Sequence, residues 1–440
     1  MRRAALILCA GLLAPTAPAR AGEAPTLSMS MSGEEALAAA ASLIGAGELE
    51  RADRVLRTLA AAPAPGRIDA LRLDTLAAVI AQARGEDERA VRILSRVLDH
   101  DPGLAVARFH LAESLFALRR DRRAAYHYRL AGPGLAEPDA RRAVARLRQI
   151  EDRRVFSVGL RAAVVPDSNL NTATDEATQV IYGVEQTLND DGALARSGVG
   201  FSTSATLTAT PKLRGRLRAE GRATALFVDH ENAGFDYARG SVEAGPRWQG
   251  RRVNASLLAT HARDAYGGER VSESTGLRLS AGAPLTRRTR LRGSLAAARR
   301  DHRRDGLDGW VYEGTAAAQR AVGGRSVVGL HGSVQRTEAA SAARSEWRLG
   351  GGLFASREVP GGITLTAAPA LWWRWADAPA PGQAQREDAT LAGTVSATKR
   401  RLAVGGVAPV VSYAYSRNFS TVGLYEYERH RLDVGVTSRF

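Results

Sequence analysis

The hydrophobic pattern changes at residues 151–165, which read Glu-Asp-Arg-Arg-Val-Phe-Ser-Val-Gly-Leu-Arg-Ala-Ala-Val-Val. From Phe156 onward, apolar residues alternate with polar or small ones, so that Phe156 and Val158 share one face of an extended chain. Before this point, alanine and leucine recur at helical spacing. The change predicts an α-solenoid over residues 22–153 followed by a transmembrane antiparallel β-barrel over residues 154–440.

The alternation continues to the C-terminus, and its breaks delimit fourteen strands. One face of these strands is apolar, and the other carries small or polar residues and many arginines, such as Arg214, Arg216 and Arg218. This pattern is typical of a membrane barrel, whose outer wall meets lipid and whose interior meets water. The predicted strands are 154–165, 198–209, 213–228, 235–248, 253–263, 271–282, 289–299, 309–321, 326–336, 344–357, 362–375, 387–398, 402–415 and 425–440.

The connections between the predicted strands alternate in length. Those after even-numbered strands are tight, as at 210–212 and 399–401, whereas those after odd-numbered strands are longer, as at 166–197 and 376–386. Bacterial barrels have short periplasmic turns, long outer loops and an even strand count that returns the C-terminus to the periplasm. We therefore expect an outer-membrane protein with its helical domain in the periplasm.

Residues 1–21 have the pattern of a secretory signal peptide, with Arg2 and Arg3 before a short apolar core and Ala19-Arg20-Ala21 as the cleavage site. The single cysteine, Cys9, lies within that core. The mature chain is therefore expected to begin near Gly22 and to form no disulfide. No later segment is apolar enough to predict a transmembrane helix.

Three segments of the helical domain align, at Gly47–Ala52, Gly85–Ala90 and Arg119–Ala124. The spacings are 38 residues (85 − 47) and 34 residues (119 − 85), and the second is the tetratricopeptide period. The sequence resembles three such repeats over 33–135, with a capping helix from about Glu137 to Arg153. Small and large packing residues recur in register at Ala40, Ala78 and Ala112, at Ala52, Ala90 and Ala124, and at Leu56, Leu94 and Tyr128.

Stacked repeats form a concave surface that commonly holds a peptide or a partner protein. Asp74, His110 and Glu113 lie on first helices of their repeats and are candidates for lining such a groove. The alternative is that these side chains only help to build the solenoid.

The chain carries a formal net charge of +15, and its basic residues are almost all arginine. This excess does not indicate nucleic-acid binding, because the signal peptide directs the chain out of the cytoplasm and no nucleic-acid-binding pattern is present. A polar barrel interior accounts for the arginines. The alternative is a positively lined interior that attracts acidic cargo.

The sequence contains no catalytic, nucleotide-binding or zinc motif of the types H-E-x-x-H, G-x-S-x-G or G-x-G-x-x-G. We therefore expect no catalytic residues, no cofactor and no metal. The cluster of Asp167, Asn169, Asn171 and Asp175 resembles part of a calcium loop but lacks its closing glutamate. Asx turns at a strand exit are the favoured interpretation of this cluster.

All six tryptophans lie in the barrel half, most of them near predicted strand ends. This placement is typical of the aromatic girdles at membrane interfaces. The run Trp372-Trp373-Arg374-Trp375 could alternatively form a platform on which a ligand stacks.

The C-terminal segment, residues 434–440, resembles the signal recognised by the outer-membrane barrel assembly machinery. Gly435 and the terminal aromatic Phe440 match that signal, whereas Ser438 stands where an apolar residue is usual.

Two stretches of the barrel carry a family resemblance. The first is the start of the barrel, Phe156–Leu160 followed by Pro166, Asp167, Ser168, Asn169, Leu170 and Asn171, and the second is the closing hairpin, Tyr415–Ser420 and Tyr425–Phe440. With the preceding repeats, they resemble the surface lipoprotein assembly modifier family, often called Slam. The resemblance implies an outer-membrane device that delivers client lipoproteins or secreted proteins to the cell surface. It also implies that the protein interacts with periplasmic chaperones and with the barrel assembly machinery.

Two other functions fit the same domain order. Porins that export exopolysaccharide or other solutes also join periplasmic repeats to a barrel, although they commonly carry many more repeats. A barrel-embedded enzyme is the third possibility, because catalytic residues can assemble from distant strands.

Overall fold

The computed structural model describes residues 32–61, 67–153, 155–181, 184–188, 192–250, 252–303 and 306–438. The expected signal peptide (1–21) and Phe440 lie outside the described residues. The chain divides into two compact units. The helical unit includes the helices up to Ala131 and Leu135–Arg146, and the barrel unit includes Gly132–Gly134 and the chain from Leu147 onward.

Seven helices form the described part of the chain between Gly33 and Arg153. The first begins at a capping box, in which the Ser32 hydroxyl accepts a hydrogen bond from the Glu35 amide and the Glu35 carboxylate accepts one from the Ser32 amide. None of the described helices is long and apolar enough to cross a bilayer. The helices are α1 (Gly33–Gly45), α2 (Leu49–Ala61), α3 (Arg67–Ala83), α4 (Asp87–His100), α5 (Ala105–Ala117), α6 (Asp121–Ala131) and α7 (Glu137–Arg153).

The helices α1 to α6 follow one another in a solenoid-like arrangement, each packed against the next. The packing positions found by aligning the repeats are confirmed, because all nine are buried. Alanine at two of these positions lets neighbouring helices approach closely, and a large side chain at the third fills the space between them. Assignment of the units as tetratricopeptide repeats stays a prediction. The nine buried residues are Ala40, Ala52, Leu56, Ala78, Ala90, Leu94, Ala112, Ala124 and Tyr128.

The turn inside each repeat requires a left-handed backbone. Gly47 and Gly85 adopt φ of 79° in the first two repeats, and Arg119 adopts φ of 59° at the equivalent position of the third. Glycine takes this conformation without steric cost, whereas a residue with a Cβ is strained in it. The third repeat therefore contains a strained turn.

The barrel unit is a closed antiparallel barrel of fourteen strands, as the alternation predicts. A short strand, β5, and a separate two-stranded hairpin, β2–β3, are additional to these fourteen. The strands are β1 (Phe156–Asp167), β2 (Thr178–Ile181), β3 (Val184–Thr187), β4 (Gly198–Ala209), β5 (Lys212–Arg214), β6 (Leu217–His230), β7 (Tyr237–Gln249), β8 (Asn254–Tyr266), β9 (Glu269–Pro284), β10 (Thr289–His302), β11 (Gly309–Val322), β12 (Ser326–Ala339), β13 (Glu346–Val359), β14 (Ile363–Ala376), β15 (Glu387–Lys399), β16 (Ala408–Ser420) and β17 (Tyr427–Thr437).

One predicted strand is displaced. The sequence pattern places it at 402–415, whereas β16 begins at Ala408. The preceding residues form a 3₁₀ turn and then a tight loop closed by paired Val404 and Val407. Gly405 and Gly406 both have positive φ in that loop, so the apolar alternation around Val404 belongs to a turn rather than a strand.

The two ends of the barrel are defined here by the first and last residues of β1 and β17. Phe156 and Thr437 lie at one end, here called the near end, and Asp167 and Tyr427 lie at the other, the far end. The chain therefore enters and leaves the barrel at the near end.

The outer wall of the barrel is apolar, with large side chains exposed at alternate positions of the strands. Trp310, Trp347, Trp373 and Trp375 are exposed near the far end, as expected for a girdle. Trp372 alternates with these neighbours and lies over Gly350 of the adjacent strand, where an added Cβ would be 2.1 Å from Trp372 Cδ1. Its ring therefore lies against the inner wall.

Candidate functional site: the barrel seam and its charged interior

The barrel closes where its first strand, β1, pairs with its last, β17, and this junction is here called the seam. The ladder joins Arg161–Val164 to Val434–Thr437 and then resumes only at Asp167 and Arg431. On its other side, β1 pairs with β4 along its whole length. Pro166, which has no amide hydrogen to donate, lies in the gap of the seam ladder. Side chains bridge the seam on both sides of this gap.

The strongest of these bridges is an ion pair at the far end. The Arg429 guanidinium donates to both carboxylate oxygens of Asp167, with Nη2 2.5 Å from Oδ2 and Nε 3.0 Å from each oxygen. The Asp167 side chain is only 1% exposed. Asp167 Oδ1 also accepts a hydrogen bond from the Asn169 amide at 3.0 Å, which forms the Asx turn expected at this strand exit.

The residues after Asp167 continue this bridge. The Ser168 amide donates to the His430 carbonyl at 2.9 Å, and the Ser168 hydroxyl accepts from the His430 amide at 2.8 Å. The buried Asn169 donates to the Glu428 carbonyl at 3.1 Å. One side of the seam is therefore bound to β17 by three successive residues, Asp167, Ser168 and Asn169.

Asn171 has a different role, because it holds the long connection that follows β1. Its amide nitrogen donates to the carbonyls of Gly192 and Leu194, at 3.0 and 2.7 Å. Its side-chain oxygen accepts from the Arg196 amide at 3.2 Å. The structure thus brings together four of the five motif residues at the seam and places the fifth, Asn171, within the adjoining loop.

A second set of contacts closes the seam toward the near end. Arg161 on β1 donates to Asp433 on β17 and to Ser412 on β16, both at 2.9 Å. The Ser438 hydroxyl accepts from the Leu160 amide at 2.8 Å. Ser438, which departs from the expected assembly signal, therefore has a structural contact at the seam.

Gly435 lies where the two strands of the seam approach each other closely. A Cβ added at this position would be 1.9 Å from the Ala162 carbonyl oxygen on β1, and the backbone leaves no room for it. The geometry gives Gly435 a packing role at the seam. Its role in an assembly signal, together with that of Phe440, stays a prediction.

The inner wall carries a ladder of alternating charges. Arg222 lies 3.1 Å from both Glu220 and Glu243, and Arg278 lies 3.4 Å from Glu243 and 3.5 Å from Glu313. The ladder runs across strands β6, β7, β9 and β11. Because Glu243 contacts both Arg222 and Arg278, these ion pairs form one continuous network within the wall. The interior is therefore lined with ion pairs on this side.

A cavity of about 320 Å³ lies inside the near end of the barrel. Its lining is rich in serine and threonine hydroxyls and includes Arg161 and Arg400. Both guanidinium groups have acidic partners, since Arg161 pairs with Asp433 and Arg400 lies 2.7 Å from Glu358. This cavity is polar but has no excess of unpaired cations.

Two of the three candidate groove residues in the helical unit bridge neighbouring helices. His110 Nδ1 lies 3.0 Å from Gln82 Oε1 on α3, and burial lowers the pKa of its imidazole. Glu113 accepts a hydrogen bond from Tyr128 and pairs with Arg146 at 3.3 Å. Burial and the adjacent Glu113 raise the pKa of the Tyr128 phenol.

Asp74 differs from these two residues. It is half-buried on α3, and no partner for its carboxylate occurs among the described side chains. It is therefore the candidate that stays available to a bound chain.

A sequence model of the family described as surface lipoprotein assembly modifier matches residues 156–440, which is the whole barrel. The chain belongs to this family. The family and the fourteen-strand barrel identify it as an outer-membrane β-barrel protein of surface lipoprotein assembly. The seam described above is thus the seam of a surface lipoprotein assembly modifier barrel.

Comparison with solved structures finds other outer-membrane barrels. One is a loop L8 deletion mutant of OmpT, an outer membrane protein of Vibrio cholerae, with 8% identity, a TM-score of 0.39, and coverage of 64% of this chain and 99% of that one. Another is OccAB1 of Acinetobacter baumannii, with 8% identity, a TM-score of 0.35, and coverage of 64% of this chain and 96% of that one. Comparison with curated protein sequences found no match.

Sequence reasoning found both strands of the seam but not their pairing. The start motif and the closing hairpin were both recognisable, whereas the contact between Asp167 and Arg429 spans 262 residues. The ladder through Glu243 and Arg278 was missed as well. Alternation could have placed both residues on the inner wall, but only the strand register shows which charges meet.

Proposed function

We propose that this surface lipoprotein assembly modifier delivers client lipoproteins, or secreted proteins, to the outer face of the outer membrane. The observation that carries the proposal is the family match, which covers the barrel from its first strand to its last residue. A barrel interior lined by paired charges and hydroxyls supports it, because such a surface remains solvated beside a passing polypeptide.

The proposed orientation places the near end of the barrel and the helical unit in the periplasm. It is supported by the even strand count and by the positions of Phe156 and Thr437 at the same end. An epitope inserted near Ala24 should survive protease added to intact cells, whereas one inserted in 376–386 should be cleaved. The reverse pattern would contradict this topology.

The helical unit is proposed to hold the client before delivery. Its solenoid-like arrangement supports this role, because such stacks present extended surfaces for peptides and proteins. Periplasmic chaperones and the barrel assembly machinery are proposed as further partners. The role is one of transport and assembly, without a catalytic step or cofactor.

Deletion of the gene tests the proposal. Intact cells of the wild type, the deletion strain and a complemented strain would be shaved with protease, and the released peptides compared by mass spectrometry. We expect one or a few surface proteins to disappear in the deletion strain and to return on complementation. An unchanged surface proteome together with lost export of a polysaccharide or small solute would contradict protein delivery and favour an export porin.

A further inference from the structure

A second cavity, of about 380 Å³, lies inside the far end of the barrel. Its volume is within the range of ligand-binding pockets. Polar groups from four consecutive strands, β7 to β10, converge on it. The lining includes Tyr237, Arg239, Asp264, Tyr266, Ser274 and Arg300.

The one carboxylate in this set is already saturated with donors. Asp264 accepts hydrogen bonds from the Tyr237 hydroxyl at 2.7 Å, from Arg239 at 3.0 Å and from the Ser272 hydroxyl at 3.1 Å. Its charge is therefore balanced by that of Arg239.

Two donors on the cavity wall make no hydrogen bond or ion pair with the residues that the structure describes. They are the Arg300 guanidinium and the Tyr266 hydroxyl. The two carboxylates that act electrostatically on Arg300, those of Asp264 and Glu346, are each paired with another guanidinium, Arg239 at 3.0 Å and Arg374 at 3.4 Å. With two guanidinium groups and one carboxylate, the cavity carries an excess charge of +1 (2 − 1).

A partly buried cation that makes no direct ion pair favours an anion that brings its own hydrogen-bond acceptors. Carboxylate oxygens suit both donors, because a guanidinium binds them bidentately and a phenol donates to the remaining lone pairs. Arg300 alternates with the exposed Arg299 and Asp301 and so lies on the inner face of β10, and the volume of the cavity accommodates side chains of an extended chain rather than a folded domain.

We propose that this cavity binds acidic side chains of a polypeptide inside the barrel. Arg300 is the main contact and Tyr266 the second. The inference rests on the proposed function, to which it adds a chemical preference: clients with an acidic segment are retained at the far end of the barrel.

Binding of short peptides to the full-length protein in detergent micelles tests the site. The probes are dye-labelled peptides of six glutamates and of six glutamines, with binding followed by fluorescence anisotropy at physiological salt. We expect the glutamate peptide to bind at least about tenfold more tightly, and Arg300→Gln to remove about tenfold of that affinity. Tyr266→Phe should cost about threefold.

Arg292→Gln is the matched control. Arg292 lies on the same face of β10, eight positions from Arg300 (300 − 292), or roughly 26 Å along the strand. Its loss removes the same charge from the interior but leaves the cavity intact, so the affinity should change less than about twofold. The folded, heat-modifiable band on a gel confirms that each variant is a closed barrel.

Three outcomes overturn the proposal. They are equal binding of the two peptides, equal losses in Arg300→Gln and Arg292→Gln, and binding of inorganic phosphate without binding of the glutamate peptide. The last would assign the cavity to a phosphate-bearing ligand instead. The peptide-binding assay and the surface-proteome comparison can fail separately. If client display is lost in the deletion strain but the glutamate peptide does not bind, only the proposed cavity site is rejected. If the peptide binds but no client disappears from the surface, only protein delivery is rejected.

Discussion

Asp167 on the first barrel strand and Arg429 on the last are joined by a bidentate ion pair across the seam, at the far end where the backbone ladder resumes after its gap. Asp167 is almost fully buried and Arg429 is 25% exposed in its side chain. The pair therefore adds a buried side-chain link to the backbone hydrogen bonds at the far end of the seam.

Asp167→Asn should destabilise the barrel. The amide can still accept from Asn169, so the Asx turn survives, but Arg429 loses its counterion in a largely buried position. We expect a loss of about 3 kcal/mol in the free energy of unfolding, at the low end for a broken buried pair because Arg429 retains some solvent contact. Urea unfolding in detergent measures it.

The control is Arg417→Gln, which removes an exposed pair in which Arg417 lies 3.9 Å from Glu428. It should change the stability by less than about 0.5 kcal/mol. Equal losses of stability in the two variants would show that the Asp167 pair stabilises the closed barrel no more than an exposed ion pair does.

Gly435→Ala should impair closure of the barrel. The added methyl would lie 1.9 Å from the Ala162 carbonyl oxygen, so β1 and β17 would have to separate. Gly221→Ala is the control, because a Cβ at Gly221 meets nothing within 4 Å. We expect at least about half of the heat-modifiable band to be lost for Gly435→Ala, both in cells and on refolding in detergent. Normal refolding in detergent combined with failure in cells would instead assign Gly435 to the assembly signal.

Arg119→Gly should stabilise the helical unit, because it relieves the left-handed backbone of the third repeat turn. The gain should be about 1 kcal/mol. Thermal unfolding of the full-length protein, followed by circular dichroism at 222 nm, measures it. Gly85→Ala is the reciprocal variant and should lower the melting temperature of the helices. A fall in stability for Arg119→Gly would show that the Arg119 side chain matters more than its backbone.

The stability of the helical unit should depend on pH through His110. Burial lowers the imidazole pKa in the folded state below the ordinary value of 6.5, so the unfolded chain binds a proton first as the pH falls. The contribution of His110 is therefore fully present above pH 6.5 and is lost as the pH falls through the folded-state pKa.

Thermal unfolding of the helices between pH 7.5 and 5.5 checks this dependence. The melting temperature should fall with pH in the wild type, and His110→Gln should flatten the slope while keeping a donor for Gln82. An identical slope in the variant would assign the pH dependence to other groups.

Deletion of residues 24–148 should separate barrel folding from client handling. The barrel closes strand to strand without the helices, so the truncated chain should still give a heat-modifiable band in the outer-membrane fraction. Client display at the surface should be lost. Full display by the truncated barrel would remove the holding role proposed for the helical unit.

The features of the fold that follow from local periodicity were predicted from the sequence. Fourteen strands followed from the alternation, and the buried Ala40, Ala78 and Ala112 followed from aligned repeats. Both patterns repeat over many residues, so single exceptions do not hide them. The displaced start of β16 shows the limit, because apolar alternation around Val404 occurs in a glycine turn whose conformation is decided by backbone freedom.

Side-chain contacts between different strands of the barrel could not be predicted from periodicity. Arg300 is one arginine among many in the sequence, and its unpaired state depends on partners that Asp264 and Glu346 find on other strands. Register between strands sets these partners, and register is a property of the closed sheet rather than of any segment.

The seam also determines the order in which the barrel can fold. All other neighbouring barrel strands follow one another along the chain, whereas β1 and β17 meet across 262 residues at Asp167 and Arg429. Joining such distant segments costs the most chain entropy, so we expect this junction to form last. Until then the sheet has two open edges that can pair with other chains. The side-chain bridges from Asp167 to Asn169 therefore act late in folding, and they end the interval in which aggregation competes with membrane insertion.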